Sequence, residues 1–346
     1  VLKLKVAAAR ASSNIALIKY WGKRNEDLIL PLNSSISMTL GEELSVYTKV
    51  EVGEEINDIK IVINGEMLGE EETMEYGARV LEQFNKIVGR KLGMRAFSYS
   101  FFPTSSGLAS SAAGIAALTL ALNEALNTKL DKRELSKIAR SASGSACRSL
   151  FGGFVMWSKG ERNDGEDSYC FKIEDPWEEI IDVILIVSEK KKEISSRKAM
   201  KITSETSWLL DCRLKRCEED VKEMERIIKG KKIKELFYLI ARHSNNMHSV
   251  MLDSFPPIFY LNDVSIQIIK LIHEYGIEKA TYSFDAGSNA NVITLKKYKE
   301  EVLNMLRPLI DQGKVKDLIL TKMGKDAEVV EIDEFERIIK EKRKGL

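Results

Sequence analysis

The stretch Pro103-Thr-Ser-Ser-Gly-Leu-Ala-Ser-Ser-Ala-Ala-Gly114 constrains the fold more than any other part of the 346-residue chain. It follows a strand-like segment, 94–102, and opens a run of small and apolar residues that reaches Leu126. Proline cannot continue a strand ladder, and Gly107 frees the backbone just ahead of the apolar run. The sequence therefore predicts strand, tight loop and helix start. Ser105, Ser106, Ser110 and Ser111 crowd that start. Unpaired backbone N–H groups and the helix dipole favour an anion there, and small side chains let phosphate oxygens approach the backbone. The stretch reads as a phosphate loop for a nucleoside triphosphate, although a serine-rich turn before a core helix would explain the same residues. Residues 108–126 approach membrane-spanning length, but Ser110, Ser111, Thr119, Asn123 and Glu124 argue against a span. Neither G-x-x-x-x-G-K-[ST] nor G-x-G-x-x-G occurs, so a nucleotide would be bound by another route.

The length suffices for a full core and points to two domains, with the change near residue 185. Strand-like segments precede that point; a charged run, Lys190 to Glu193, and predominantly helical patterns follow it. A net charge of +1 and a pI near 7.7 give no global pull toward nucleic acid or membrane. Lys and Glu dominate the 30% of charged residues, a balance that suits a hot environment and surface ion-pair networks. The N-terminus alternates like a strand and lacks a long apolar signal core, so a cytoplasmic protein is expected. Cys147, Cys170, Cys212 and Cys217 form no C-x-x-C pair, which excludes the usual zinc spacings. Unpaired thiols are expected, with a bridge from Cys212 or Cys217 across a dimer axis as the alternative.

Several polar residues stand where packing explains them poorly. Lys19, Tyr20 and Lys23 surround Trp21 in an apolar segment. Two lysines four apart on one helix face would suit a polyanion, as against lysines snorkelling over a core aromatic. Arg148 is isolated among serines and glycines, with Ser143 and Ser145 just before it. It reads as a fork for a carboxylate or phosphate, or as the cap of a buried helix end. Ser196 and Arg197 open a predicted helix, again favourable to an anion. Asp285 ends a short strand ahead of Gly287; an Asx turn is the alternative to a functional role. Helices are expected over 70–88, 132–142, 203–228, 232–252 and 262–275, with a charged surface helix in the tail from Asp326. His243 and His248, with no carboxylate at helical spacing, read as core or interface residues.

Taken in order, six segments carry a family resemblance: Asn14-Ile-Ala-Leu-Ile-Lys-Tyr-Trp-Gly-Lys-Arg24, Leu32-Asn-Ser-Ser-Ile-Ser37, Pro103 to Gly114, Gly144-Ser-Ala-Cys-Arg-Ser-Leu-Phe-Gly-Gly153, Phe255-Pro-Pro-Ile-Phe-Tyr260 and Phe284-Asp-Ala-Gly287. They resemble the GHMP kinase superfamily and, within it, the mevalonate diphosphate decarboxylases. The resemblance implies an α+β GHMP kinase fold. A ribosomal S5 domain 2-like domain would span 1–185, a ferredoxin-like domain 186–325 and a charged tail 326–346, with the site in the cleft between the domains. It also implies a homodimer that uses ATP with Mg2+ to convert mevalonate 5-diphosphate to isopentenyl diphosphate, ADP, phosphate and CO2. No protein metal ligand is assigned.

A tertiary hydroxide is a very poor leaving group, so the 3-hydroxyl is first phosphorylated, and loss of that phosphate draws CO2 from the neighbouring carboxylate. In the resemblance Asp285 orients the hydroxyl and accepts its proton late, and Lys19 supplies positive charge beside it. Arg148 would grip the substrate carboxylate, while Tyr20, Lys23, Ser143, Ser145, Ser196 and Arg197 would hold the diphosphate. Ser105, Ser106, Gly107, Leu108, Ala109, Ser110 and Ser111 would cradle ATP. Ser288, Ser105-Ser106 and Ser12-Ser13 depart from the family pattern in ways that bear on loop rigidity. A kinase that stops at 3-phosphorylation, a decarboxylase of the monophosphate and a catalytically silent nucleotide-binding protein are the alternatives. The joint presence of Lys19, Arg148 and Asp285 favours the diphosphate decarboxylase.

Overall fold

The computed structural model describes residues 3–102, 110–188 and 193–344, which leaves Ser105 to Ala109 of the expected phosphate loop outside the described residues. The first unit is built on a six-stranded sheet in the order Glu328–Val330, Lys5–Ser12, Ser45–Gly53, Gly93–Ser100, Ile59–Ile63 and Glu66–Met67. Its pairs are antiparallel except Ile59–Ile63 with Gly93–Ser100. The Ser110–Ala125 helix lies across this sheet and is enclosed on its other sides by further helices, which is why its sequence is apolar all round. The hydroxyl of Tyr76 reaches to 1.7 Å from where a Cβ on Gly114 would stand, so only glycine fits there.

The expected 70–88 helix forms with a wider π turn, Met74–Ala78, between α-helical Glu70–Thr73 and Arg79–Val88. That turn buries Tyr76 while Glu75 remains accessible on the surface. A second sheet runs Cys170–Glu174, Phe154–Trp157, Ser35–Thr39 and Asn14–Ile18.

The second unit carries a four-stranded antiparallel sheet, Ala280–Phe284, Ala290–Leu295, Ile180–Ile186 and Asp317–Lys322. Strand Ile180–Ile186 hydrogen-bonds within this sheet along its length, so the second unit begins before the boundary expected near residue 185. The expected 203–228 helix is two helices, Ser196–Thr206 and Leu210–Lys229. Asp253 accepts from the Ser207 hydroxyl at 2.8 Å and the Leu209 N–H at 3.0 Å, which satisfies the break between them. The tail is not a separate appendage: Glu328–Val330 pairs with Lys5–Ser12, and the Ile332–Lys344 helix lays Phe335 and Ile339 on Ala8 and Tyr47.

One apolar seam joins the units. Ile15, Ile36 and Phe154 of the second sheet share a core with Ile184, Met224 and Phe237 of the second unit. Each fully buried side chain of this size contributes roughly 1.5–3 kcal/mol, so the seam holds the two units in a fixed relation. No described helix is long and apolar enough to cross a membrane.

Candidate active site

The seam places Lys19 at the end of strand Asn14–Ile18, facing the end of strand Ala280–Phe284. Its ammonium is 2.6 Å from Asp285 Oδ1; the Lys19 side chain is 1% exposed, whereas that of Asp285 is 41% exposed. Burial pulls the Lys19 pKa below its ordinary value, with Asp285 opposing that pull. The backbone is fixed as firmly as the side chain. The Lys19 carbonyl accepts from Arg213 Nη2 at 2.7 Å and from Asn33 Nδ2 at 3.0 Å, and Ser283 donates to the Ala16 carbonyl at 3.0 Å. On the Asp285 side, the Phe284 N–H donates to Ser244 Oγ at 2.9 Å.

Arg148 lies in the 3-10 segment Gly144–Leu150 and is 3% exposed. It donates through Nε to Asn14 Oδ1 at 3.1 Å and through Nη1 to Ser35 Oγ at 2.9 Å. Asn14 is itself held by Ser149 Oγ at 2.8 Å and the Ser145 carbonyl at 3.2 Å. These partners are neutral, so the guanidinium keeps its full charge for something else.

The Tyr20 ring packs edge-on to Trp157 at 4.8 Å, and its hydroxyl is buried with no hydrogen-bond partner among the described residues. Burial, then the nearby Glu26, pushes its pKa up. Gly144 makes room for both rings: a Cβ there would meet Trp157 at 2.6 Å and Tyr20 at 3.1 Å.

The Lys23 side chain is 4% exposed, and its Nζ is 2.5 Å from Oε2 of the exposed Glu26. Lys19 and Lys23 do not share a helix face. They stand on either side of a turn at Gly22, whose φ of +96° suits glycine, and they point to different partners. Arg197 donates to the Ala142 carbonyl at 3.0 Å and pairs with Glu75 at 2.8 Å, linking the two units. Ser143 joins the Lys132–Ala142 helix to the 3-10 segment, and Ser196 opens the Ser196–Thr206 helix behind the cap Ser195. Ser110 and Ser111 open the Ser110–Ala125 helix, the first half-buried and the second exposed. The structure thus gathers Lys19, Asp285, Arg148 and Tyr20, with Lys23 buried up to its contact with surface Glu26 and Arg197 at the rim.

Asn14, Asn33, Ser35 and Arg213 are supports that sequence reasoning left without a role. The two asparagines and Ser35 sat within segments already singled out, but Arg213 lay in a charged helix and gave no signal of burial. His243 is in the core as expected, and tertiary packing supplies the carboxylate that local spacing lacked: its Nε2 is 3.0 Å from Asp220 Oδ2. All four cysteines are free, with Cys212 exposed and the others buried.

A buried ammonium joined to a carboxylate, a guanidinium held by neutral dipoles and an unpartnered phenol can bind a polyanion and move a proton. Two α+β units joined over such a cleft define a GHMP kinase fold. Residues 11–170 match the diphosphomevalonate decarboxylase-like N-terminal domain and residues 182–344 the mevalonate 5-diphosphate decarboxylase C-terminal domain. The chain belongs to the diphosphomevalonate decarboxylase family. It is 38% identical to the diphosphomevalonate decarboxylase of Danio rerio, covering 88% of this chain and 80% of the relative. With that of Debaryomyces hansenii it shares 40% identity over 87% of this chain and 82% of the relative. The crystal structure of mevalonate diphosphate decarboxylase from Staphylococcus aureus superposes with a TM-score of 0.87 at 33% identity, covering 95% of this chain and 98% of that one. A structure described as MDDEF in complex with MVAPP, AMPPCP and magnesium gives 0.84 at 34% identity, covering 95% and 99%.

Proposed function

We propose that the chain carries out ATP-dependent decarboxylation of mevalonate 5-diphosphate to isopentenyl diphosphate through phosphorylation of the 3-hydroxyl. The observation that carries this reading is the 2.6 Å Lys19–Asp285 pair spanning the two units, with Arg148 held ready beside it. Asp285 would orient the 3-hydroxyl and receive its proton late, since an early alkoxide is far too basic for a carboxylate to generate. Lys19, kept dry, would counter the charge that gathers on the transferring group. Arg148 would hold the substrate carboxylate until it leaves as CO2. Tyr20, Lys23, Ser143, Ser145, Ser196 and Arg197 would bind the diphosphate, and the orphaned Tyr20 hydroxyl gains the partner it lacks.

The residues fit a nucleotide with its metal. Ser110 and Ser111, at a helix N-terminus with small residues behind them, would hold phosphate oxygens, and Ser105, Ser106, Gly107, Leu108 and Ala109 are read as the rest of that cradle. No cluster of three or more His, Cys, Asp or Glu among the described residues could hold a metal, so Mg2+ would be carried chiefly by phosphate oxygens. When bound, ATP supplies the phosphoryl group that turns the hydroxyl into a leaving group. A cytoplasmic homodimer from a hot environment completes the reading; sedimentation and thermal unfolding test its last two parts.

The test offers mevalonate, its 5-phosphate and its 5-diphosphate separately with ATP and Mg2+, following ADP and CO2 together. Matched release from the 5-diphosphate alone supports the proposal. ADP without CO2 would make the enzyme a 3-kinase, and matched release from the 5-phosphate would shift the substrate. Silence with all three would sink the assignment.

A further inference from the structure

Beyond the Lys19–Asp285 pair, the buried interior of the second unit contains a carboxylate with no assigned role. Asp182 lies in the middle of strand Ile180–Ile186 and is fully buried, on the side of the strand that Ile180 and Ile184 turn toward the seam. Its Oδ2 accepts from Asn291 Nδ2 at 2.6 Å, while its Oδ1 has no partner among the described residues. Asn291 is paired in register with Ser283, and Ser283 donates to the Ala16 carbonyl, on the strand that leads into Lys19. Thr281, Ser283 and Asp285 alternate along one side of their chain, so Asp182, Asn291, Ser283 and Asp285 belong to the same face of the sheet. A carboxylate buried among isoleucines costs stability and invites explanation.

The Lys19 ammonium supplies one. It has to remain charged through a step in which its direct partner, Asp285, takes up a proton and becomes neutral. A buried cation that loses its counter-ion gives up its own proton readily. We propose that Asp182 is a positioning residue for phosphoryl transfer, a buried carboxylate that, when ionised, helps keep Lys19 protonated while Asp285 changes charge. This rests on the functional reading above.

Burial pushes Asp182 up to about 7; the Asn291 bond and the field of Lys19 oppose that rise, and Lys19 in turn is favoured by both Asp285 and Asp182. The other titratable or charged groups that bear on Lys19 or feel it are Arg148 on the 3-10 segment and His243 and His248 on the Ile233–Leu252 helix. His243 is held by Asp220 and also feels Arg213. Among the described residues, Lys19 is the charged group whose field reaches Asp182.

Asp182→Asn keeps the shape and the bonding edge and removes the charge. The expected result is a folded protein whose kcat for mevalonate 5-diphosphate falls about tenfold, with KM within about twofold of wild type. The alkaline limb of its kcat/KM profile should move down by about one pH unit, the shift equivalent to a tenfold change. A residue that only packed would leave that limb in place, so wild-type kcat and an unmoved limb in folded Asp182→Asn overturn the proposal. A second readout uses the unaltered chain: NMR of ε-13C-lysine-labelled protein, with the Lys19 resonance identified by its loss in Lys19→Arg. Burial pushes the Asp182 carboxyl up to about 7, so an inflection of the Lys19 resonance near that pH supports the coupling whether or not Asp182→Asn folds, and a flat resonance between pH 6 and 8 overturns it. A wild type inactive toward all three substrates would defeat the functional reading, and the NMR result would then decide the Asp182–Lys19 coupling by itself.

Discussion

Two ends of the same cleft carry positive charge in opposite ways. Lys19 and Arg148 are 1% and 3% exposed and are held by fixed neighbours: neutral Asn14 and Ser35 for the guanidinium, Asp285 for the ammonium, and Asn33 with the cationic Arg213 at the lysine carbonyl. Arg197, at the rim with 39% of its side chain exposed, and Lys23, whose own side chain is only 4% exposed, each reach out to a surface carboxylate, Glu75 and Glu26, with side chains 54% and 58% exposed. A solvent-exposed carboxylate is a weak partner, worth at most about 1 kcal/mol, and a diphosphate bearing more charge can displace it. A charge buried among fixed dipoles cannot rearrange cheaply, so its direction is set before substrate arrives. The inner end is therefore built to act in the transition state and the outer end to exchange one anion for another.

That contrast can be broken by mutation. The largest effect belongs to Asp285, whose partly exposed side chain can change without unfolding the seam. Asp285→Asn should lower ADP and CO2 release together by ~1,000-fold, within the range of a lost general base, with a lowered melting temperature because the buried Lys19 ammonium loses its direct partner. Loss of CO2 alone would separate Asp285 from the phosphoryl step. Arg148→Gln should reduce kcat/KM by about 100-fold, the scale of charged hydrogen bonds lost from a buried site. Arg197→Gln, at the rim, should raise KM for the 5-diphosphate about tenfold while kcat stays within about twofold. If Arg197→Gln lowered kcat as severely as Arg148→Gln, the division into an acting end and an exchanging end would be wrong. Glu75→Gln should do the reverse of Arg197→Gln on a smaller scale, lowering KM by about twofold, with the difference vanishing in high salt.

Acid pH tests the dry wall without touching the reaction. Burial first, and the field of Lys19 second, pull the His248 pKa down to about 4. The unfolded chain takes up that proton near 6.5, so below this pH it binds more protons than the folded chain. Stability should be intact above about pH 6.5 and fall as pH drops toward 4, by on the order of 3 kcal/mol from this group. His243 is shifted in the same direction, again by burial foremost. Thermal unfolding at intervals between pH 4 and 7 checks this, and His248→Gln should flatten the curve. An equally steep curve in His248→Gln would place the acid sensitivity elsewhere.

Legibility in the sequence followed the range of the forces involved. The Ser110–Ala125 helix was readable because an unbroken apolar run has few other uses in a mixed chain. Helices Ile233–Leu252 and Asp263–Tyr275 fell within a residue or so of expectation, the second fixed by the Asn262–Ser265 capping box. The 203–228 helix was misjudged because its break depends on Asp253, far along the chain. Lys19 and Lys23 looked like helix neighbours because spacing alone cannot register the turn that Gly22 permits. The boundary near 185 fell inside strand Ile180–Ile186 for a similar reason: a central strand reads the same whichever sheet receives it.

By itself the sequence determined the α+β character, the helix behind the serine-rich stretch and the identity of the polar residues that packing could not explain. Local propensity and side-chain chemistry suffice for those, since each is settled within a few residues. The tertiary structure decided which of those residues face one another. Lys19 meets Asp285 across 266 positions of chain, and Arg197 reaches back to Glu75 in the other unit. Arg213, indistinguishable in sequence from its exposed neighbours, is buried against the carbonyl of Lys19. Contacts of that kind arise only when the apolar seam has brought the two units together, because the burial that fixes them belongs to neither unit alone.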